Sequence, residues 1–439
     1  MPKGSNFGVN WRTLGKKMNN GGRLACFGIL FGLFVAVEAS PLYSRIYQVS
    51  CTACHSAAPA LNEMGQRFAV TGVAPFKKKS DDVNTKDDRL DLTKAFPFSI
   101  RASGYAKLRR GREILDFATG ETGMSPFFDM HAPEKIKLMS ASSVSDKLDF
   151  LLAGTFAPAI NDGAIRLNEG WVRYRSGGVL PVNIKFGQFS ITDVMFNSKT
   201  RLTFQSYLAY ELSRIGVDRG IRIDGYFDDL PISVGMTNGS ELNSSAPANA
   251  AGIYRNDYFL DDNSGKNFYA YFRMKFSLFD LGLFWLNGQQ QSASGVLADQ
   301  RGVTESARSV FGLDFAMHAN NSVRFYGQAL MNQWVDFIDP GDRYSWYAGF
   351  LGADYFASDE LAFSLLYNYA LAGDFKDSGT IYEGLGLNAI TSSASFYLSR
   401  NARVIFEITL DLLPIDDDLD FVGHEDKEDY ISLGFDLSF

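Results

Sequence analysis

Residues 268–278 read FYAYFRMKFSL, so apolar side chains occupy every second position from Phe268 to Leu278. The residues between them are tyrosine, arginine, lysine and serine. Residues 403–412 read RVIFEITLDL and repeat the pattern, with Arg403 and Glu407 on the face opposite the apolar side chains from Val404 to Leu412. A period of two is typical of a β-strand with one apolar and one polar face. We therefore expect a mainly β protein.

The alternation extends from residue 98 to residue 439 and predicts sixteen strands, near 98–108, 133–141, 147–157, 168–175, 181–189, 219–227, 230–239, 266–277, 279–286, 308–318, 322–333, 343–356, 360–370, 386–398, 402–413 and 430–439. Short turns alternate with long loops, and the long loops are 109–132, 190–218, 240–265, 287–307, 371–385 and 414–429. Alternation alone also fits a soluble β-sandwich. The loop pattern and the terminal aromatic strand ISLGFDLSF (431–439) favour an outer-membrane antiparallel β-barrel over residues 97–439, with both chain ends in the periplasm.

The composition limits the function classes. The chain has 439 residues, a net charge of −8, 37 Phe and 20 Tyr. Residues 1–39 carry five basic residues, followed by an apolar run from Leu24 to Val37, which predicts a secretory signal peptide cleaved after Ala39. The rest has 37 Lys and Arg against 49 Asp and Glu, so nucleic acid is an improbable partner. No later run of 18 apolar residues predicts a membrane helix.

One motif carries recognisable chemistry. Cys51-Thr52-Ala53-Cys54-His55 is the C-x-x-C-H pattern of covalent c-type haem attachment. Its two thiols can bond one haem, and its imidazole can ligate the iron. A redox dithiol would need an α/β setting, and a zinc site would need two further ligands. We predict one haem c bound through Cys51, Cys54 and His55.

Residues 40–96 form the predicted haem segment, in which the charge-rich stretch 77–94 is a linker. So small a unit seldom folds stably by itself, so it needs further surface to pack against. A position inside the pore, as a plug, would supply that surface. Ala58 to Ala69 is predicted to be a short helix carrying Met64, a candidate distal iron ligand because a thioether can pair with histidine. Met64 could equally be an apolar filler, and the alternative ligands in the first long loop are Met124, Met130 and His131.

The haem segment also resembles a known family. The stretches SPLYSR (40–45), SCTACH (50–55), PALNEMGQRF (59–68) and Thr71-Gly72 resemble the start of the fused monohaem cytochrome-porins, whose best-known members are outer-membrane iron-oxidising cytochromes. Family members more often have an aromatic at the position of Met64. The resemblance implies a small α-helical cytochrome segment fused to a porin-like barrel. It also implies electron transfer from extracellular Fe(II) to a periplasmic cytochrome or other carrier.

Two functions follow. The first is an electron-transfer protein of the bacterial outer membrane, in contact with lipid, that oxidises Fe(II). The sequence assigns no catalytic residue and leaves open whether the protein acts as an enzyme. The second is a porin or solute channel in which the haem segment gates or senses. The last long loop holds acidic residues from Asp416 to Asp429 beside His424, and it could attract divalent metal ions or be an ordinary solvated loop.

Overall fold

The computed structural model describes residues 42–47, 49–71, 98–115, 122–145, 147–156, 165–176, 182–227, 230–239, 265–291, 305–320, 322–337, 340–371, 373–375, 386–412 and 429–438. The predicted signal peptide, the linker 77–94 and the acidic residues 416–428 lie outside these ranges, so they stay predictions.

In the described part of the chain, sixteen strands form one closed antiparallel barrel. Two short strands, β1 (His55–Ala57) and β2 (Ala60–Leu61), form a separate hairpin. The barrel strands are β3 (Phe98–Leu115), β4 (Thr122–Ser145), β5 (Leu148–Phe156), β6 (Ile165–Arg175), β7 (Val182–Ser190), β8 (Val217–Phe227), β9 (Leu230–Thr237), β10 (Asn267–Lys275), β11 (Phe279–Gln291), β12 (Glu305–Asn320), β13 (Val323–Val335), β14 (Arg343–Phe356), β15 (Leu361–Leu371), β16 (Gly386–Ser399), β17 (Ala402–Asp411) and β18 (Tyr430–Ser438). The ring closes where β18 pairs with β3, and the predicted sixteen-stranded barrel is confirmed.

The two faces of the wall differ as the alternation predicts. On β10, Phe268 is 52% exposed and its neighbour Tyr269 is 2% exposed. On β17, Phe406 is 44% exposed and Glu407 is fully buried. Because successive side chains of a strand point to opposite faces, the apolar residues cover the outside and the charged residues line the lumen.

The first hairpin is longer than predicted. β3 and β4 stay paired as far as Leu115 and Thr122, so most of the predicted loop 109–132 is strand. The sequence there lacks a clear apolar face, but backbone pairing between two strands does not require one. The pattern therefore located the start of β3 and missed its end.

The connections β10–β11, β14–β15 and β16–β17 are short and lie at one end of the barrel, which we call the short-turn end. The pairing of Ser438 with Arg101 places both ends of the barrel sequence there as well.

Residues 191–216, between β7 and β8, fold into the lumen, and we call them the inward loop. They contain helical turns at Ile191–Val194 and Ser198–Thr200 and a short helix at Leu208–Leu212. The loop reaches the opposite wall, where the carboxylate of Glu407 accepts hydrogen bonds from the backbone N–H groups of Phe204 (2.7 Å) and Gln205 (3.1 Å). Part of the predicted external loop 190–218 is therefore inside the barrel.

Residues 42–71 form the N-terminal segment. It comprises helix α1 (Leu42–Tyr47), the β1–β2 hairpin and helix α2 (Glu63–Thr71), and α3 in the inward loop is Leu208–Leu212. The predicted helix over Ala58–Ala69 begins only at Glu63, because Ala60 and Leu61 pair with β1. The expectation of a largely helical cytochrome segment is thus met only in part.

None of the helices in the described ranges is long and apolar enough to cross a membrane.

Candidate functional site

The C-x-x-C-H motif forms a compact turn. Residues Cys51–Ala53 make one turn of 3-10 helix, and the Ser50 hydroxyl accepts a hydrogen bond from the N–H of Thr52 at 3.4 Å. The N–H of Cys54 donates to the carbonyl of Cys51 at 3.1 Å. Both thiols are free and half-buried. Burial, with a smaller effect of the Cys51 thiol, raises the pKa of Cys54 and favours its protonated form.

The His55 ring has the orientation that an iron ligand needs. Its Nδ1 donates to the carbonyl of Pro59 at 3.2 Å, since a carbonyl oxygen can only accept. Nε2 then keeps its lone pair, and metal-ligating histidines usually carry such a bond on the other nitrogen. Burial lowers the pKa of His55, which favours the neutral ring that binds metals.

Asn62 holds the motif against helix α2. Its side-chain amide donates to the carbonyls of Thr52 and Ala53, both at 3.2 Å. Its side-chain oxygen accepts from the N–H of Gly65 at 2.9 Å, as a helix N-cap does. These bonds explain why α2 begins after Asn62.

Helix α2 packs directly on the motif at Gly65. A Cβ at this position would lie 2.1 Å from the carbonyl oxygen of Cys54. On α2, Phe68 packs edge-on against Tyr43 and Tyr47 of α1, with ring centroids 5.0 and 5.8 Å apart. The segment therefore has a small aromatic core of its own.

The N-terminal segment lies against the lumen wall near the short-turn end. Lys275, at the end of β10, forms an ion pair with Glu63 at 2.8 Å. The phenol of Tyr397 on β16 donates to the carbonyl of Ala58 at 2.6 Å. Ala60 packs in a buried apolar cluster with Leu202 of the inward loop. Whether this segment closes the pore stays a prediction.

A small, partly open pocket separates the motif from the barrel turns. It is lined by Cys51, His55 and their neighbours and by Asp359, Tyr397 and Arg400. The pocket is too small for a porphyrin, so haem would require side chains at the rim to move. Arg400 and Asp359 form an exposed ion pair there. The donor set of two thiols and one oriented imidazole nevertheless fits covalent haem.

Of the candidate distal ligands, Met64 lies in the N-terminal segment, and the candidates on β4 are not placed at the motif. Met64 is half-buried on the first turn of α2 and stays a candidate. Met130 on β4 is 71% exposed on the outer face, so it cannot face the lumen. His131 bonds Asp129 at 2.6 Å and lies beside Tyr105, away from the motif contacts. The side chain of Met124 lies outside what the structure describes.

Several site residues were missed by the sequence reasoning. Tyr397, Asp359 and Arg400 come from the barrel wall and its turns, far from the motif in sequence, and no local pattern marks them. His318 on β12 lies near Glu63 and adds a second imidazole at the short-turn end. Within the described ranges, His, Cys, Asp and Glu form no group of three or more that could hold a metal ion directly.

Comparisons with known proteins define the fold. No protein-family model and no curated protein matches the sequence. The structure is similar to that of Salmonella typhi OmpF in complex with daunomycin, with a TM-score of 0.52, 11% identity and coverage of 82% of this chain and 100% of that one. It is also similar to an anion-selective porin from Comamonas acidovorans, with a TM-score of 0.52, 11% identity and coverage of 78% and 98%. At this identity the likeness shows a closed, porin-like barrel fold.

Proposed function

We propose that this chain is an outer-membrane electron-transfer protein that carries one covalently bound c-type haem at the lumen wall of a porin-like barrel. The observation that carries the proposal is the Cys51–His55 turn. Its imidazole is held by the Pro59 carbonyl, with Nε2 free to ligate iron. The resemblance of the segment to the monohaem cytochrome-porins supports the same conclusion.

The surface of the barrel supports residence in a membrane. Large apolar side chains on its outer face, such as Leu351, Leu365 and Leu433, are 45–56% exposed. So extensive an exposed apolar surface is suited to lipid rather than to water. A closed barrel with short turns at one end fits the bacterial outer membrane, with that end in the periplasm.

The residues of the segment have separate roles in this proposal. The thiols of Cys51 and Cys54 hold the haem by thioether bonds, and His55 supplies the proximal nitrogen. The haem iron, when bound, accepts and releases one electron. Asn62 and Gly65 keep the motif and α2 in contact, which fixes the direction of the imidazole.

The position of the motif constrains the donor. The membrane-spanning band of such a barrel is roughly 25 Å tall, and electron transfer falls steeply with distance. Since the motif contacts the short-turn end, extracellular Fe(II) has to enter the lumen and pass the inward loop. The acidic residues from Asp416 to Asp429, in the last long loop of the sequence, would raise the concentration of cations around them. A periplasmic carrier would take the electron at the short-turn end.

The alternative function is a porin or solute channel in which the N-terminal segment acts as a gate. The fold comparisons support this alternative more directly than electron transfer, because the similar structures include an anion-selective porin.

Two measurements on the same purified protein separate the functions. Stopped-flow mixing with Fe(II) should reduce the haem of the wild-type protein, and planar-bilayer conductance should be small. The variant with Cys51→Ala and Cys54→Ala is the matched control and should show no haem signal. Large conductance that is equal in both proteins, together with no reduction by Fe(II), would establish the channel and overturn the electron-transfer proposal.

A further inference from the structure

The turn that orients His55 is clamped by the barrel wall. The β1–β2 hairpin begins at His55, and its turn contains Ala58 and Pro59. The carbonyl of Pro59 accepts from the imidazole at 3.2 Å, and the adjacent carbonyl of Ala58 accepts from the phenol of Tyr397 at 2.6 Å. Two successive carbonyls thus connect the proximal histidine to a residue of β16.

Tyr397 is itself held rigidly. Its side chain is 6% exposed and packs with Ala60, Leu202 and Ala362 in one buried cluster. Arg403 is its register partner on β17 and lies beside its phenol. Arg403 in turn donates to Asp436 on β18 at 3.1 and 3.2 Å. The phenol therefore has a fixed position that the small N-terminal segment could not provide.

We propose that Tyr397 is a positioning residue that sets the reduction potential of the haem, through the Ala58–Pro59 peptide and the hydrogen bond to His55. This inference rests on the proposed function, and it adds that the barrel wall tunes the redox centre. A hydrogen bond from Nδ1–H to a carbonyl makes the imidazole a stronger electron donor. A stronger donor favours the oxidised, more positively charged iron, so loss of this bond should raise the potential.

The test compares conservative variants of the full-length protein. Tyr397→Phe keeps the ring and removes the hydroxyl, so the Ala58–Pro59 peptide loses its anchor. At a fixed ambient potential, the ratio of reduced to oxidised haem should rise about threefold or more, the effect of one lost hydrogen bond. Tyr430→Phe is the matched control, because Tyr430 is also a buried phenol of the wall; it donates to Glu407 and Gln205 at the end of β18 opposite the short-turn end. Its ratio should equal that of the wild-type protein.

A second variant changes the side chain that supports the phenol of Tyr397. Arg403→Lys keeps Tyr397 and loosens its support, so the ratio should shift in the same direction by a smaller factor. Heat-modifiable mobility on gels reports whether each barrel has folded. Equal ratios in wild-type, Tyr397→Phe and Arg403→Lys proteins that carry full haem would overturn the positioning role alone. Absence of covalent haem from the wild-type protein would overturn the proposed function and this role with it.

Discussion

Asn62 is the residue on which the geometry of the motif most depends. Its amide holds two carbonyls of the motif turn, and its oxygen caps helix α2. Asn62→Ala removes all three bonds and should cost about 1–2 kcal/mol in the stability of the segment, with a lower haem content. Asn62→Asp keeps the cap and loses the two amide donors, so its loss should be intermediate. Absorbance per mole of protein measures haem content, and equal values in the three proteins would contradict this role.

A substitution at Gly65 tests the contact between α2 and the motif. Because an added Cβ would lie 2.1 Å from a backbone oxygen, Gly65→Ala must separate the helix from Cys54. Most of the haem should be lost, as measured by peroxidase staining on denaturing gels. Gly373→Ala is the control, since a Cβ there would meet no atom of the described residues within 4 Å. Full haem staining in Gly65→Ala would show that the contact is dispensable.

The sequence predicted the chemistry of single residues and missed their partners. Cys51, Cys54 and His55 are adjacent, so their spacing alone predicts a haem site. Tyr397 and Ala58 are 339 positions apart in the sequence, and only the closed barrel brings them together. Met130 failed as a candidate ligand because β4 extends through its position and turns its side chain outward.

At the scale of elements, the inward loop depends on one buried carboxylate. Glu407 accepts bonds from two backbone N–H groups of the loop and from the phenol of Tyr430 at 2.7 Å. Glu407→Gln replaces one acceptor oxygen by a donor and should weaken the docking of the loop by about 2 kcal/mol. Single-channel conductance should therefore rise and become noisier.

The matched control for this prediction is Glu360→Gln, which makes the same chemical change at an exposed position. Its conductance should equal that of the wild-type protein. If both variants leave the conductance unchanged, the loop does not restrict the lumen.

The elements differ in how well the sequence predicted them. The strands were found because a wall with lipid on one side and a polar lumen on the other imposes strict alternation. The inward loop has no such constraint: its buried residues follow no period of two, although Phe196 and Tyr210 both pack against Phe350 of the wall. Its length alone identified it as a connection and gave no indication that it folds inward.

At the scale of the whole molecule, the N-terminal segment and the inward loop share one lumen. Deletion of residues 40–96 removes the ion pair with Lys275 and the bond from Tyr397. Planar-bilayer conductance should rise several-fold, and by more than in Glu407→Gln, because an entire segment leaves the mouth. Equal conductance of the intact and deleted proteins would rule out a plug.

Haem staining after denaturation shows directly whether this barrel carries one covalent haem on Cys51 and Cys54. The protein should be produced in a bacterium that attaches c-type haem in its periplasm, beside the variant with Cys51→Ala and Cys54→Ala. Peroxidase activity is expected at the mass of the full barrel in the wild-type protein and not in the variant. A wild-type barrel without that signal, or a variant that retains it, would rule out covalent haem at these two cysteines.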